Sequence, residues 1–174
     1  MKILRFFTGL LIFLPILAGC RSVGVATPDY RERAFRAEVR ICQQGMTVYA
    51  EVEAERVGEE IALSHVRLLF PPSVAGIEIF YEADAPILVR DGLRMPSYGA
   101  EGWWEVASLL CAEGTMRYVC NTELEGLALE YAEIDDGERT VSVFREKGTG
   151  IPKRVTDGTR ELTVIRFEPI EARG

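Results

Sequence analysis

This chain of 174 residues is short of the residue patterns that carry most enzyme chemistry. It has one histidine, His65, and four cysteines with no Cys-x-x-Cys pair, so the closely spaced ligand pairs of a zinc centre are missing. It contains no Gly-x-Ser-x-Gly turn, no phosphate-binding glycine loop ending in Gly-Lys, and no Gly-x-Gly-x-x-Gly fingerprint. Nucleophile elbows, nucleotide cradles and dinucleotide sites depend on those spacings, so the expectation is a protein that is not an enzyme and needs no cofactor. Basic residues are outnumbered, 20 Lys and Arg against 27 Asp and Glu, for a formal charge of −7. An acidic surface is repelled by phosphate backbones, which excludes nucleic acid as a partner. No apolar run reaches the 20 or so residues that span a bilayer, and no internal repeat or low-complexity tract is present.

What the chain does have begins at its front. Lys2 and Arg5 precede an apolar stretch from Phe6 to Ala18, the layout of an export signal. The tetrad Leu17-Ala18-Gly19-Cys20 that closes it resembles the lipobox of bacterial lipoproteins. That resemblance implies cleavage before Cys20, a diacylglycerol on its sulfur and an acyl group on its new amino terminus. Two acyl chains hold a protein stably where one does not. The expected organisation is a cleaved signal over 1–19, a lipidated tether over 20–27 and a single domain over 28–174. The protein would be exported and anchored to the outer face of the bacterial cell membrane through Cys20.

Thr27-Pro28-Asp29 reads as an N-cap with proline at the first helical position, opening a short helix to about Arg33. The period then changes to two. Phe35, Ala37, Val39 and Ile41, then Met46, Val48, Ala50, Val52 and Ala54, alternate with polar residues around Gln44-Gly45, which predicts a hairpin with one apolar face. Further strands are predicted over 61–70, 77–81, 87–89, 116–122, 127–134, 140–146 and 162–167, with turns at Asp91-Gly92, at 135–138 and at 148–150. Between Pro96 and Gly114, Trp103, Val106, Ala107, Leu110 and Cys111 recur at helical spacing. The fold class is therefore α+β: a curved antiparallel sheet of about eight strands, an inserted helix, and a short helix in front.

The order of these phrases is similar to that of the LolA-like lipoproteins: a lipobox, a front helix leading into "FRAEVRI", then "LLFPPSVAGIEI", "VRDGLRMP", an inserted helix and "GTGIPKRV…ELTVIRFEPIE". Small clostridial-type members, including a spore-germination group, are the most similar in pattern. The resemblance implies an open half-barrel wrapped around a helical plug. It also implies binding, either as an envelope scaffold or germination-associated regulator with a protein partner, or as a carrier of an acyl-chain ligand.

On that model Val39, Val48, Ile79, Trp103, Val106 and Leu110 either line an apolar cavity or fill it as a plug. Trp104, about 100° around a helix from Trp103, marks a face turned to a partner. Cys111 and Cys120 are the candidates for an intramolecular bridge, with free, mostly buried thiols, Cys42 among them, as the alternative. Glu101 and Glu105 suit a helix N-terminus better than acid–base chemistry. The acidic turn Glu133, Asp135, Asp136 and Glu138 lacks the spacing of a calcium loop and reads as a solvated hairpin with no metal. His65 reads as a strand histidine with a satisfied hydrogen bond, and Arg31, Arg33, Arg36 and Arg40 as part of a mixed charged surface.

Overall fold

The structure, a computed structural model, describes residues 26–43, 45–82, 85–96, 101–137 and 139–170. The leader, Cys20 and Glu138 lie outside these residues. Where polar and apolar residues alternate, the chain forms strands that bury one side. In β1 (Phe35–Gln43) and β2 (Met46–Val57), Phe35, Ala37, Val39, Ile41, Val48, Ala50, Val52 and Ala54 are all buried, while Arg36, Glu51 and Glu53 point away from them. The hairpin between them closes on the pair Gln43 and Met46.

Nine more strands follow: β3 (Glu60–Phe70), β4 (Glu78–Glu82), β5 (Ala85–Arg90), β6 (Leu93–Pro96), β7 (Met116–Leu124), β8 (Leu127–Asp135), β9 (Thr140–Glu146), β10 (Pro152–Thr156) and β11 (Glu161–Pro169). They make one antiparallel sheet in the order β6-β5-β4-β3-β2-β1-β11-β10-β9-β8-β7. The first six strands meander outward in one direction and the last five in the other, and the halves meet where β1 pairs with β11. Helix α1 (Glu101–Ala107) and a 3-10 turn (Ser108–Cys111) connect the two outermost strands and pack on β1, β3, β10 and β11. The sheet curls around this connection, so the half-barrel with an internal helix is the architecture observed. Among the described residues no helix is long and apolar enough to cross a membrane.

Several expectations are corrected. The sheet has eleven strands, not about eight. Strand β6 went unread because all four of its residues are exposed, so it has no alternation. Strand β10 opens on Pro152, which a strand tolerates at its first position, and carries Lys153 and Arg154 before the buried Val155.

The front helix is only a 3-10 turn, Tyr30–Glu32, and its cap is Asp29, whose carboxylate accepts from the Arg31 N–H at 3.0 Å. Thr27 instead reaches the β9–β10 turn, accepting from the Gly148 N–H. Pro28 is held there too, its carbonyl accepting from Arg145 at 3.2 Å. Arg145 is itself buried beside Glu130, 3.3 Å away. The inserted helix tightens after Ala107, where the Ser108 hydroxyl donates to the Glu105 carbonyl.

Cys111 and Cys120 are free thiols. Cys111 is part-buried at the end of the plug, whereas Cys120 is exposed on the outermost strand β7 opposite Tyr131, so the two sit in different surroundings despite their closeness in sequence.

Candidate functional site

The inserted segment presents its apolar stripe to the sheet. Val106, Ala107, Leu109 and Leu110 have no exposed surface, and Trp103 packs part-buried against the same cluster. Val39, Val48 and Ile79 meet them from β1, β2 and β4, each 1% exposed or less. Surface in contact with a water-filled space would count as exposed, so at these positions the interior is packed with side chains. Five of the six expected cavity or plug residues are enclosed in the core cluster, and Trp103 packs against its edge.

Space opens beside the plug instead. Between β3 and the 3-10 turn lies a cleft of about 530 Å³, lined on its apolar side by Ile61, Leu63, Ala112 and Trp104 and rimmed by Glu60, Glu113 and Asp136. A second cleft of about 390 Å³ shares Glu60, Ile61, Cys111, Ala112 and Glu113 with it and extends to Arg31 and Arg56. A third, of about 350 Å³, shares Tyr81 and Trp104 and continues to Pro86, Glu101 and Glu105. Tyr81 and Trp104 stack with ring centroids 5.4 Å apart and planes 21° from parallel. The stack stands at the junction of the first and third clefts, and the three together form one groove along the plug.

Asp136 and Arg139 of the β8–β9 turn line the first cleft, and the β10–β11 turn beside it has the same chemistry. Asp136-Gly137-Glu138-Arg139 and Asp157-Gly158-Thr159-Arg160 each begin with an aspartate that accepts from the arginine's backbone N–H at 2.8 Å and from its Nε at 2.9 Å or 2.8 Å. Arg139 also approaches Asp157 at 3.5 Å, and Arg160 pairs with Glu105 of α1 at 2.6 Å. A chain of alternating charge thus runs from the β8–β9 turn through the β10–β11 turn to the helix. Burial would raise the Asp157 carboxyl, but N–H donors from Arg160 and Thr159 and their side chains outweigh it and hold the group down at about 2. Cys111, on the floor of two clefts, behaves differently: burial pushes its thiol up to about 12. It stays neutral at physiological pH and offers no thiolate.

The other sequence candidates disperse. Glu105 is tied to Arg160 while Glu101 stays exposed, so they form no carboxylate dyad. Asp135 accepts from the Gly137 N–H, Glu133 from Arg117 and from the Tyr131 hydroxyl. Those oxygens are spent on the turn and on cross-strand partners, and among the described residues no cluster suited to a metal occurs.

His65 stacks on Phe80 with centroids 4.6 Å apart. Its nitrogens stand 4.0 Å from Glu53 and 3.7 Å from Glu78. Those separations exceed hydrogen-bond length, and Nε2 has no hydrogen-bond partner, which corrects the expectation of a satisfied histidine. Arg31, Arg36 and Arg40 are engaged by Asp29, Glu53 and Thr163 and make no shared basic patch.

The groove was only partly visible in advance. Trp104 is the aromatic that helical spacing turns to a partner, whereas Tyr81, at the end of the strand expected over 77–81, is 49% exposed with no pattern to announce it. The recurring Asp-Gly-x-Arg phrase was the available signal for the paired turns.

No protein-family model matches the chain, and no curated protein sequence is similar to it. Solved structures are similar in fold. An uncharacterised conserved protein of Thermus thermophilus shares 13% identity over 82% of each chain, with a TM-score of 0.47. A Vibrio parahaemolyticus domain, its structure named for outer membrane lipoprotein sorting, shares 12% over 81% of this chain and 87% of its own, at 0.41. LolA superfamily protein NE2245 of Nitrosomonas europaea shares 10% over 83% and 90%, at 0.38. At these scores the likenesses set no activity, and the groove has to be read from its own chemistry.

Proposed function

We propose that this is an exported lipoprotein, anchored through Cys20, that works by binding a protein of the cell envelope and not by catalysis. The observation that supports this is the contrast between a packed interior at Val39, Val48, Ile79, Val106 and Leu110 and an open groove outside the plug around Tyr81 and Trp104. A carrier of acyl chains needs dry volume between sheet and helix; a scaffold or regulator needs an accessible surface with aromatic anchors. The germination lipoproteins that the sequence resembles fit the second description. Cys20 would keep such a protein stationary at the membrane.

Two measurements test the reading. Native mass spectrometry of the Cys20→Ser chain should give the bare protein mass, and a co-purifying lipid overturns it in favour of the acyl-chain carrier. A photo-crosslinking residue at position 104 should trap an envelope protein in cells, while the same residue at position 40, on the opposite sheet face, should not. Equal trapping at both positions, or none at 104, counts against the groove.

A further inference from the structure

The charge around the groove is unevenly satisfied, and that imbalance describes the occupant. On the outer sheet face several carboxylates have cross-strand partners, such as Glu51 with Arg67 at 2.7 Å and Glu133 with Arg117 at 2.8 Å. In the groove the arginines are already consumed. Arg31 is bound to Asp29 and to the carbonyls of Ala112 and Gly114, Arg56 donates to the carbonyls of Glu32 and Glu59, and Arg139 is held by Asp136 and Asp157. The carboxylates of Glu32, Glu59, Glu60 and Glu113 meet none of these guanidinium groups and have no cationic partner among the described residues. Between them runs the apolar floor of Ile61, Leu63 and Trp104.

Resting on the binding function proposed above, we infer that the groove takes a cationic segment of a protein partner in which Lys or Arg alternates with apolar residues. The charged heads would satisfy Glu60 and Glu113, which stand on opposite walls, β3 and the end of the plug. The apolar side chains would cover Ile61 and Leu63, and a guanidinium would find the Tyr81–Trp104 stack, since aromatic faces attract cations. Anionic ligands, a fatty-acid carboxylate or a phosphate headgroup among them, would meet unpaired carboxylates and be repelled.

The test uses the full chain held in nanodiscs of zwitterionic lipid, with empty nanodiscs as the blank. Three labelled peptides of equal length serve as probes: alternating Lys–Leu, alternating Lys–Ser and alternating Glu–Leu. Lys–Leu should bind, with affinity falling as salt rises, Lys–Ser should bind clearly more weakly, and Glu–Leu should not bind. The exposed pair of changes Glu60→Gln and Glu113→Gln should weaken Lys–Leu roughly tenfold, the size expected when two partly exposed ion pairs are lost, and should flatten its salt dependence. Trp104→Phe should keep most of that affinity by preserving the stack.

Binding of Glu–Leu as tight as that of Lys–Leu, indifference to the double change, or no Lys–Leu binding at all overturns the inference. Each of those results leaves crosslinking at position 104 free to succeed, so failure of the charge argument is separable from failure of the binding function.

Discussion

Asp157 carries more of the turn than its position on a hairpin suggests. Its side chain is 3% exposed, and its two oxygens accept from the N–H groups of Thr159 and Arg160, the Thr159 hydroxyl and the Arg160 guanidinium. These bonds favour the ionised form, and the group drops from its ordinary 3.8 to about 2. A carboxyl lowered by folding stabilises the native state fully above its unfolded pKa and loses that contribution as pH falls through the folded one. The window is therefore about pH 4 down to about pH 2, and the contribution is about 2 kcal/mol. Asp157→Asn should destabilise the protein at neutral pH and remove this part of the acid dependence. In urea unfolding from pH 5 to pH 2, the gap between variant and wild type should narrow by about that amount. A gap constant over the range would mean that the hydrogen bonds do not distinguish carboxylate from acid.

Among the elements, the β9–β10 hairpin does work that no periodicity announces, because it receives the front of the domain. Gly148 and Gly150 both have positive φ, +85° and +74°. A Cβ on Gly148 meets nothing within 4 Å, while one on Gly150 would stand 2.1 Å from the Pro28 carbonyl oxygen. Gly148→Ala should therefore cost only the left-handed conformation, about 1 kcal/mol. Gly150→Ala adds a backbone clash and should cost at least ~2 kcal/mol, lowering Tm by roughly twice as much. It should also free the segment at Thr27 and Pro28 for proteolysis. Equal losses from the two substitutions would show that the Pro28 contact yields without cost. Elements with one buried face, such as β1, β2 and β3, were legible because burial imposes period two on the sequence. Strand β6 buries neither face, β10 mixes Pro152, Lys153 and Arg154 into a short run, and the split of the plug at Ser108 depends on one local hydrogen bond. In those places no pattern of apolar residues was required, so none was written.

Across the whole molecule the arrangement depends on a seam that joins the ends of the domain. Phe35 through Cys42 pair with Pro169 back to Glu161, interrupted by a bulge between Glu38 and Val39. Side-chain periodicity gives strands but says nothing of partners so distant in sequence, so this pairing is not legible in the local pattern of β1 or β11. The same limit hid the groove, which is assembled from β3, β4, the plug and the β8–β9 turn, elements that meet only after the sheet has curled. If the seam holds the two meanders together, damage there should reach the entire sheet, while damage at an outer strand should stay local. Leu162 of β11 has no exposed surface and pairs with Ile41 and Val155, whereas Leu93 of β6 is 69% exposed at the opposite limit of the sheet. Leu162→Ala should cost about 2–5 kcal/mol, the range for a buried leucine that leaves a cavity. Leu93→Ala should stay within about 0.5 kcal/mol of wild type. Amide exchange should follow the same division, with Leu162→Ala accelerating exchange in both β2 and β9 and Leu93→Ala only near β5 and β6. Faster exchange confined to β10 and β11 in the first variant would mean that the two meanders are stable independently and that the seam merely docks them.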